Sequence, residues 1–410
     1  MGNISGGILK TSEKSFLAKI TLEQLFFISQ KLGFACAIYR LPNKETKHLV
    51  IDLSSGRDLD NLHLEEMGSG FIFHPFSTDQ HRAKLINKDI HVVQHANRED
   101  PEIVHSEFPP DELYRLFNDK NPGETEQESK VEIKGSGKEE IADQKNAFIE
   151  LINKSINEIN NNRFQKVVLA RNKYIKLPHL FNPFEFFESL SENYTNSFIY
   201  LTFIPGVGSW IGATPETLIN IDEHRQFQTV ALAATQAYSK DIDPEETTWS
   251  QKDIEEQAMV SRYIINCFKK IRLREFEEVG PRTHLSGNLV HLKTDYNVDM
   301  DQVAFPQLGT VMLELLHPTS AVCGMPKEPA QEFILQHEGF DREYFSGFLG
   351  PVNMLDETNI YVNLRCMKIM PSQGKLFSGA GIISNSNPEK EWNETEIKMD
   401  TLLKVLKDLQ

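Results

Sequence analysis

The chain lacks the features of a secreted, disulfide-bonded or membrane-spanning protein. Its 410 residues include four cysteines, none of them in a Cys-x-x-Cys pair. Widely spaced cysteines argue against a disulfide framework and against a zinc ribbon. There is no apolar run of about 18 residues that could span a bilayer, and the first residues lack the basic-then-apolar pattern of a signal peptide. We therefore expect a cytoplasmic protein with no membrane partner.

An excess of basic residues is also missing. The formal net charge is −16 at pH 7, which argues against nucleic acid as a partner. A small anionic substrate is compatible with this charge if cations are concentrated in one pocket. With 40% hydrophobic residues, the chain can bury a large core. We expect a monomer or a weak homodimer.

Composition divides the chain into three parts. Residues 1–119 contain short apolar runs that predict strands of a mixed or antiparallel sheet, after a helix at Leu22–Leu32. Residues 120–143 are polar and almost free of large apolar groups, which is typical of a flexible acidic linker or loop. Residues 144–410 hold the candidate chemical groups. Their first stretch has the apolar spacing of a helix from Asp143 to Asn161.

Two candidate proton-transfer residues stand beside predicted strands. Lys166 heads the apolar run that ends at Arg171. Burial there would favour the neutral amine, which can act as a base; the alternative is an edge lysine whose ammonium reaches solvent. The turn at Thr214-Pro215 presents Glu216 before another strand. Glu216 is a candidate proton donor if an apolar site raises its pKa.

Two predicted helices each carry a pair of acidic residues three positions apart, and therefore on one face. Asp253 and Glu256 lie on the first, and Glu391 and Glu394 lie on the second, which begins near Pro388. Neighbouring carboxylates repel each other unless a cation lies between them, so each pair favours a cation site. For the pair on the second helix, the alternative interpretation is an acidic first turn that faces solvent. Two such pairs face to face would form an oxygen-rich site for Mg²⁺, because no His or Cys stands nearby.

The segment before the second acidic helix is predicted to be an anion-binding turn. Gly379 and Gly381 flank Ala380 after a strand-like run. Without side chains at the two glycines, the backbone can come close to a ligand and offer N–H groups to an anion.

Together these segments resemble the chorismate-utilising enzymes, which include isochorismate, salicylate, anthranilate and aminodeoxychorismate synthases. The similar segments follow the family order and are Lys166–Arg171, Gly212–Leu218, Lys252–Glu256, His317–Pro326, Phe340–Gly347, Asn363–Cys366, Ser378–Ile382 and Glu391–Glu394. The resemblance implies an α/β (α+β) chorismate-binding fold, in which two large β-sheets pack together with flanking helices outside.

The lysine at position 166 is similar to that of the isochorismate and salicylate synthases, which add water to chorismate. The resemblance implies that Lys166 activates water for attack at C2 and that Glu216 protonates the departing C4 hydroxyl. We therefore expect a magnesium-dependent isochorismate synthase of menaquinone or siderophore biosynthesis. The alternatives are a salicylate synthase, which also eliminates pyruvate; an amine-adding synthase, which Lys166 disfavours; and a catalytically silent chorismate-binding protein, which the full residue set disfavours.

The resemblance also implies binding roles. Glu256, Glu391 and Glu394 match magnesium ligands, with Asp253 at a fourth acidic position, and Arg365 matches the arginine that binds a substrate carboxylate. The other implied substrate-binding residues are Gly379, Ala380, Gly381, Thr235, His317 and Tyr344.

Two of these assignments carry alternatives. His317 is either a residue near the substrate or a capping or packing histidine. Ala234 stands where the family usually has glycine. Its methyl group is expected either to crowd the substrate or to be accommodated by a backbone at negative φ.

Overall fold

The computed structural model describes residues 20–98, 100–118, 138–238, 243, 246–286 and 289–409. Its helices are α1 (Leu22–Leu32), α2 (Pro110–Asn118), α3 (Lys138–Asn160), α4 (Pro183–Asn193), α5 (Gln251–Lys270), α6 (Leu308–Leu316), α7 (Lys327–His337) and α8 (Pro388–Asp408). Among the residues described, none of these helices is long and apolar enough to cross a membrane.

The strands form two large antiparallel sheets. The first sheet has the order β15 (Gly324–Met325), β8 (Lys166–Lys176), β19 (Gln373–Ile382), β18 (Cys366–Met370), β10 (Gly208–Thr214), β9 (Phe198–Ile204), β1 (Ala35–Arg40), β2 (Lys47–Asp52), β6 (Ile90–Gln94) and β7 (Glu102–Ser106). The second has the order β13 (Glu277–Ser286), β14 (Leu289–Asp299), β12 (Gln226–Ala237), β11 (Thr217–Ile221), β17 (Thr358–Val362), β16 (Phe348–Val352), β4 (Gly70–His74), β5 (Ala83–Asn87) and β3 (Arg57–Leu59).

The inner faces of the two sheets meet through aromatic side chains. Phe73 of β4 lies edge-on to Trp210 of β10 with ring centroids 5.9 Å apart, and Phe71 lies 5.6 Å from Tyr39 of β1. Helices α1, α4 and α8 pack on the outer face of the first sheet, and α5 and α6 on that of the second. The predicted α+β architecture of two packed sheets with outer helices is confirmed.

Strand β1 shows why several predicted strands are continuous apolar runs. Cys36 and Ile38 pack in the cluster that includes the outer helices, whereas Ala37 and Tyr39 pack in the cluster between the sheets. Because successive side chains of a strand point to opposite faces, a strand covered on both faces is apolar at every position.

The N-terminal part of the chain contributes to both sheets. Ile38 of β1 pairs with Leu201 of β9, and β4 pairs with β16. Helix α1 has the predicted bounds, whereas α3 begins at Lys138, before the predicted start at Asp143. Of the predicted linker, residues 120–137 lie outside the part of the chain that the structure describes.

Candidate active site

The chain passes between the sheets at two neighbouring places, which carry Glu216 and Arg365. Strand β10 of the first sheet leads through Glu216 into β11 of the second, and β17 of the second leads through residues 363–365 into β18 of the first. The crossings are joined by hydrogen bonds, because the Val362 N–H donates to the Glu216 carbonyl (2.9 Å) and the Ala213 N–H to the Arg365 carbonyl (3.1 Å). This pairing brings the two side chains to one end of the first sheet.

Lys166 lies at the same end of that sheet. Strand β8 begins at Lys166, beside the last residues of β19, where Gly381 pairs with Val168. The lysine side chain is 5% exposed, and its Nζ donates to Glu256 Oε1 of α5 at 3.3 Å. A Cβ at Gly381 would lie 3.0 Å from Lys166 Cε, so the glycine leaves space for this side chain. The alternative of an edge lysine reaching solvent is therefore wrong.

The Glu216 carboxyl is poised to give up a proton near neutral pH. Burial raises the pKa of Glu216 to about 7, although the charges of Lys166, Lys398 and Arg365 and a hydrogen bond with Thr319 oppose the shift. A carboxyl with such a pKa is substantially protonated at pH 7, unlike an exposed glutamate. Glu216 therefore has the raised pKa that the role of proton donor requires.

Helix α8 holds the guanidinium of Arg365. Its Nη1 donates to the Lys398 carbonyl at 3.1 Å and to Thr401 Oγ1 at 3.4 Å. Burial lowers the pKa of Arg365 to about 10, with Glu394 opposing the shift, so the group stays cationic at neutral pH. Its backbone has φ +48°, a region that costs a non-glycine residue roughly 1–2 kcal/mol. Such strained positions cluster at functional sites.

Two further residues, which sequence reasoning did not single out, join this site. Lys398 Nζ lies 2.5 Å from Glu394 Oε1 and donates to the Gly379 carbonyl at 3.0 Å. The i,i+4 spacing of Lys398 from Glu394 on a predicted helix could have identified this lysine from the sequence. Burial, aided by the charges of Arg365 and Lys398, lowers the pKa of His291 to about 4 despite its hydrogen bond to the Ala234 carbonyl. A single histidine within a strand carries no local pattern that marks it.

Glu391 and Glu394 are adjacent on the first turns of α8. Asn387 caps this helix by accepting a hydrogen bond from the Lys390 N–H, and Pro388 occupies its first turn, as predicted. Burial, together with the charge of Glu394, raises the pKa of Glu391. Burial acts in the same direction on Glu394, but the ammonium of Lys398 holds the pKa of Glu394 below its ordinary value. The pair fits Mg²⁺, which commonly takes one or two carboxylates and completes its shell with water and substrate oxygens.

The predicted four-carboxylate cluster is not formed in the described part of the chain, where no three acidic, histidine or cysteine side chains are placed to hold a metal ion together. Asp253 accepts hydrogen bonds from the Ser250 N–H (3.0 Å) and hydroxyl (2.6 Å) and so caps its own helix. Glu256 pairs with Lys166. Because Asp253 and Glu256 are engaged by these partners, they do not join Glu391 and Glu394 in one cluster.

The predicted glycine turn is corrected. Gly379, Ala380 and Gly381 lie within β19 and pair with Ala170, Leu169 and Val168 of β8. The Ala380 side chain is buried in an apolar cluster that includes Trp392. The two glycines therefore leave space on a strand and do not form an anion-binding turn.

Tyr344 and His317 are placed by packing contacts. Tyr344, predicted to line the pocket, is buried between the sheets, stacks on Phe73 with centroids 4.3 Å apart and donates to the Arg82 carbonyl at 2.9 Å. The His317 ring packs edge-on against Phe348 at 4.8 Å, which is the packing alternative stated above.

For Thr235 the structure describes only the backbone, within β12. The predicted contact of its side chain therefore lies outside the described part.

Ala234 has φ +56° at a bulge in β12, which corrects the expectation of a negative φ. This conformation costs an alanine roughly 1–2 kcal/mol, whereas glycine adopts it freely but loses about 0.5–1 kcal/mol of chain entropy. Ala234→Gly is therefore expected to raise the free energy of unfolding by about 0.5–1 kcal/mol in urea titration. The control is Ala233→Gly, next to it in the same strand, where φ is not positive; it should lower that free energy. Equal losses for both variants would contradict the strain argument.

The chain is similar to known proteins in its sequence and in its fold. The family model described as "Chorismate binding enzyme" matches residues 81–407. Isochorismate synthase EntC of Escherichia coli (strain K12) is 32% identical over 204 residues, covering 48% of this chain and 51% of the relative. A protein named "Salicylate biosynthesis isochorismate synthase" from Pseudomonas aeruginosa is 29% identical over 266 residues, covering 62% of this chain and 53% of the relative. The alignments thus span about half the length of these relatives.

Among solved structures, MenF, the menaquinone-specific isochorismate synthase of Escherichia coli, superposes with a TM-score of 0.71 at 20% identity, covering 95% of this chain and 92% of MenF. This likeness concerns the fold. Because the family model covers more than three-quarters of the chain, the protein belongs to the family of chorismate binding enzymes.

Proposed function

We propose that this protein is an isochorismate synthase, which isomerises chorismate to isochorismate. The observation that carries the proposal is the placement of a buried lysine amine and a glutamic acid of raised pKa at one end of a sheet, together with the cationic Arg365. The names of relatives such as EntC support the same activity. The product would enter menaquinone or siderophore biosynthesis.

The reaction needs one proton removed and one proton supplied. Lys166 Nζ, as the neutral amine, would take a proton from water as the water oxygen bonds to C2 of the ring. The two ring double bonds shift, C1=C2 to C1=C6 and C5=C6 to C4=C5, and the C4–O bond breaks as Glu216 protonates the departing hydroxyl, which leaves as water. The gain and loss of water balance, so the product is an isomer of the substrate. A base and an acid at separate places in one site suit this chemistry.

Arg365 and the acidic pair would bind and orient the substrate. The guanidinium, fixed by its bonds to α8, would offer its remaining N–H groups to a carboxylate. Glu391 and Glu394 would hold Mg²⁺, and Glu256 and Asp253 remain proposed ligands. Glu394, Glu256 and Asp253 would first have to leave their present partners or share them with the ion. Bound Mg²⁺ would supply positive charge for the ring carboxylate of the substrate.

The test is to incubate the purified protein with chorismate and Mg²⁺ and to identify the products by chromatography. Isochorismate as the only product supports the proposal. Salicylate with pyruvate would instead indicate a salicylate synthase, and an aminated product in the presence of ammonia would indicate an amine-adding enzyme. A protein that binds chorismate without turnover would be the silent relative.

The metal assignment predicts a separate result. Glu391→Ala removes one of the two carboxylates of the pair and is expected to raise the Mg²⁺ concentration at half-maximal rate by at least about tenfold. Glu389→Ala is the matched control, because Glu389 lies in the same first turn but is exposed and pairs with Lys145. Mg²⁺ titration of the rate in both variants gives the measurement, and an unchanged Mg²⁺ dependence in Glu391→Ala contradicts the assignment.

A further inference from the structure

One edge of strand β8 is completed by groups that are not a strand. On this side, β8 pairs with β15 through Lys166 and Val167, and the Val168 N–H donates to the Cys323 carbonyl at 2.7 Å. Farther along, the Val168 carbonyl accepts a hydrogen bond from Arg342 Nη2 at 2.8 Å, and the Ala170 N–H donates to Glu338 Oε1 at 2.7 Å. Two side chains thus provide the hydrogen bonds that a neighbouring strand would make.

These two side chains form a buried ion pair. Glu338 follows α7, and its Oε2 accepts from Arg342 Nε at 2.7 Å, while Oε1 accepts a second bond from Nη2. The side chains are 2% and 3% exposed. The guanidinium also lies over the Phe76 ring, 4.3 Å from its centroid. A planar fork held by two parallel bonds has little freedom to move.

The same guanidinium reaches the segment that contacts Glu216. Arg342 Nη1 donates to the Val322 carbonyl at 2.9 Å. The Val322 N–H in turn donates to the Thr319 carbonyl at 3.1 Å, and the Thr319 side chain hydrogen-bonds the Glu216 carboxyl. Arg342 therefore contacts two backbone segments of the site. One contact is at Val168, two residues after Lys166, and the other is at Val322, three residues after Thr319.

We propose that the Glu338–Arg342 pair is a positioning device that sets the placement of Lys166 relative to Glu216. The inference rests on the proton-transfer roles given under the proposed function. Neither residue touches the reacting groups; each acts through the backbone of β8 or of the Thr319–Val322 segment. Their removal should therefore slow the chemical step more than it weakens substrate binding.

The test uses two changes of the pair in the full chain. Arg342→Lys keeps the positive charge but loses the planar fork. The double variant Glu338→Leu with Arg342→Met replaces the pair by apolar groups of similar size, which avoids a lone buried charge. Leu25→Ala serves as a control. It truncates a buried side chain of α1 and is therefore expected to lower the free energy of unfolding.

Both changes of the pair are expected to lower kcat by about 10–100-fold, with KM for chorismate changed less than about twofold. Amides of residues 166–171 should exchange hydrogen faster in the variants than in the wild type. Leu25→Ala should keep kcat. The inference fails if the folded pair variants keep kcat within about twofold of the wild type, or if Leu25→Ala loses as much. A wild-type protein without isochorismate formation would instead refute the proposed function.

Discussion

Lys166→Gln is expected to lower kcat for isochorismate formation by about 10²–10⁴-fold, the contribution typical of a positioned general base. Glutamine is one bond shorter than lysine but keeps an unbranched, polar side chain that can donate hydrogen bonds, as the Lys166 amine does to Glu256 Oε1. Its amide nitrogen has no basic lone pair, so it cannot take a proton from water. The loss should therefore fall on the chemical step, with substrate binding largely kept.

The measurement is steady-state kinetics with product identification. Lys173→Gln is a matched control, because Lys173 lies on the same strand β8 but pairs with Glu396, away from the proton-transfer residues. This control should keep kcat near that of the wild type. A Lys166→Gln protein with near-normal turnover would falsify the base assignment.

Features specified by neighbouring residues were predictable from the sequence. The apolar spacing of α1 predicted its bounds, Pro388 marked the start of α8, and Thr214-Pro215 marked the irregular backbone that presents Glu216. Each signal arises within a few residues, because caps, proline and helical spacing act locally.

Features specified by distant pairing were not predictable in this way. The Gly379–Gly381 segment was predicted to be a turn because two glycines allow one, but pairing with β8 makes it a strand. Tyr344 was expected to bind the substrate because of the resemblance to the family, yet its position between the sheets makes it a core residue. His291 enters the site only because β14 is placed beside β12. The resemblance to a family supplied candidate residues, whereas the contacts between them required the structure.

Asp253 shows how one local signal can be read in two ways. An acidic residue three positions after a serine fits both a metal ligand on a helix face and a capping box. In the structure the capping box is formed. Asp253 was predicted to be a metal ligand, and its pairing with the serine three positions earlier was not predicted.

Glu216→Gln is expected to lower kcat by about 10²–10⁴-fold, because an amide can fill the place of the carboxyl but cannot protonate the leaving hydroxyl. The pKa of Glu216, raised by burial to about 7, also predicts the pH dependence. Below pH 7 the wild-type carboxyl carries the proton that the reaction needs, and above pH 7 it loses that proton. The rate of the wild type should therefore fall as pH rises through about 7.

The residual activity of Glu216→Gln should lack this fall, because glutamine does not titrate. Glu223→Gln, a change of an exposed acidic side chain in the turn after β11, should keep both the rate and the pH profile of the wild type. Values of kcat/KM measured from pH 5.5 to 9 at saturating Mg²⁺, which report the ionising groups of the substrate-free protein, separate the outcomes. If Glu216→Gln kept the loss of rate above pH 7, another group would cause that loss and Glu216 would not be the proton donor.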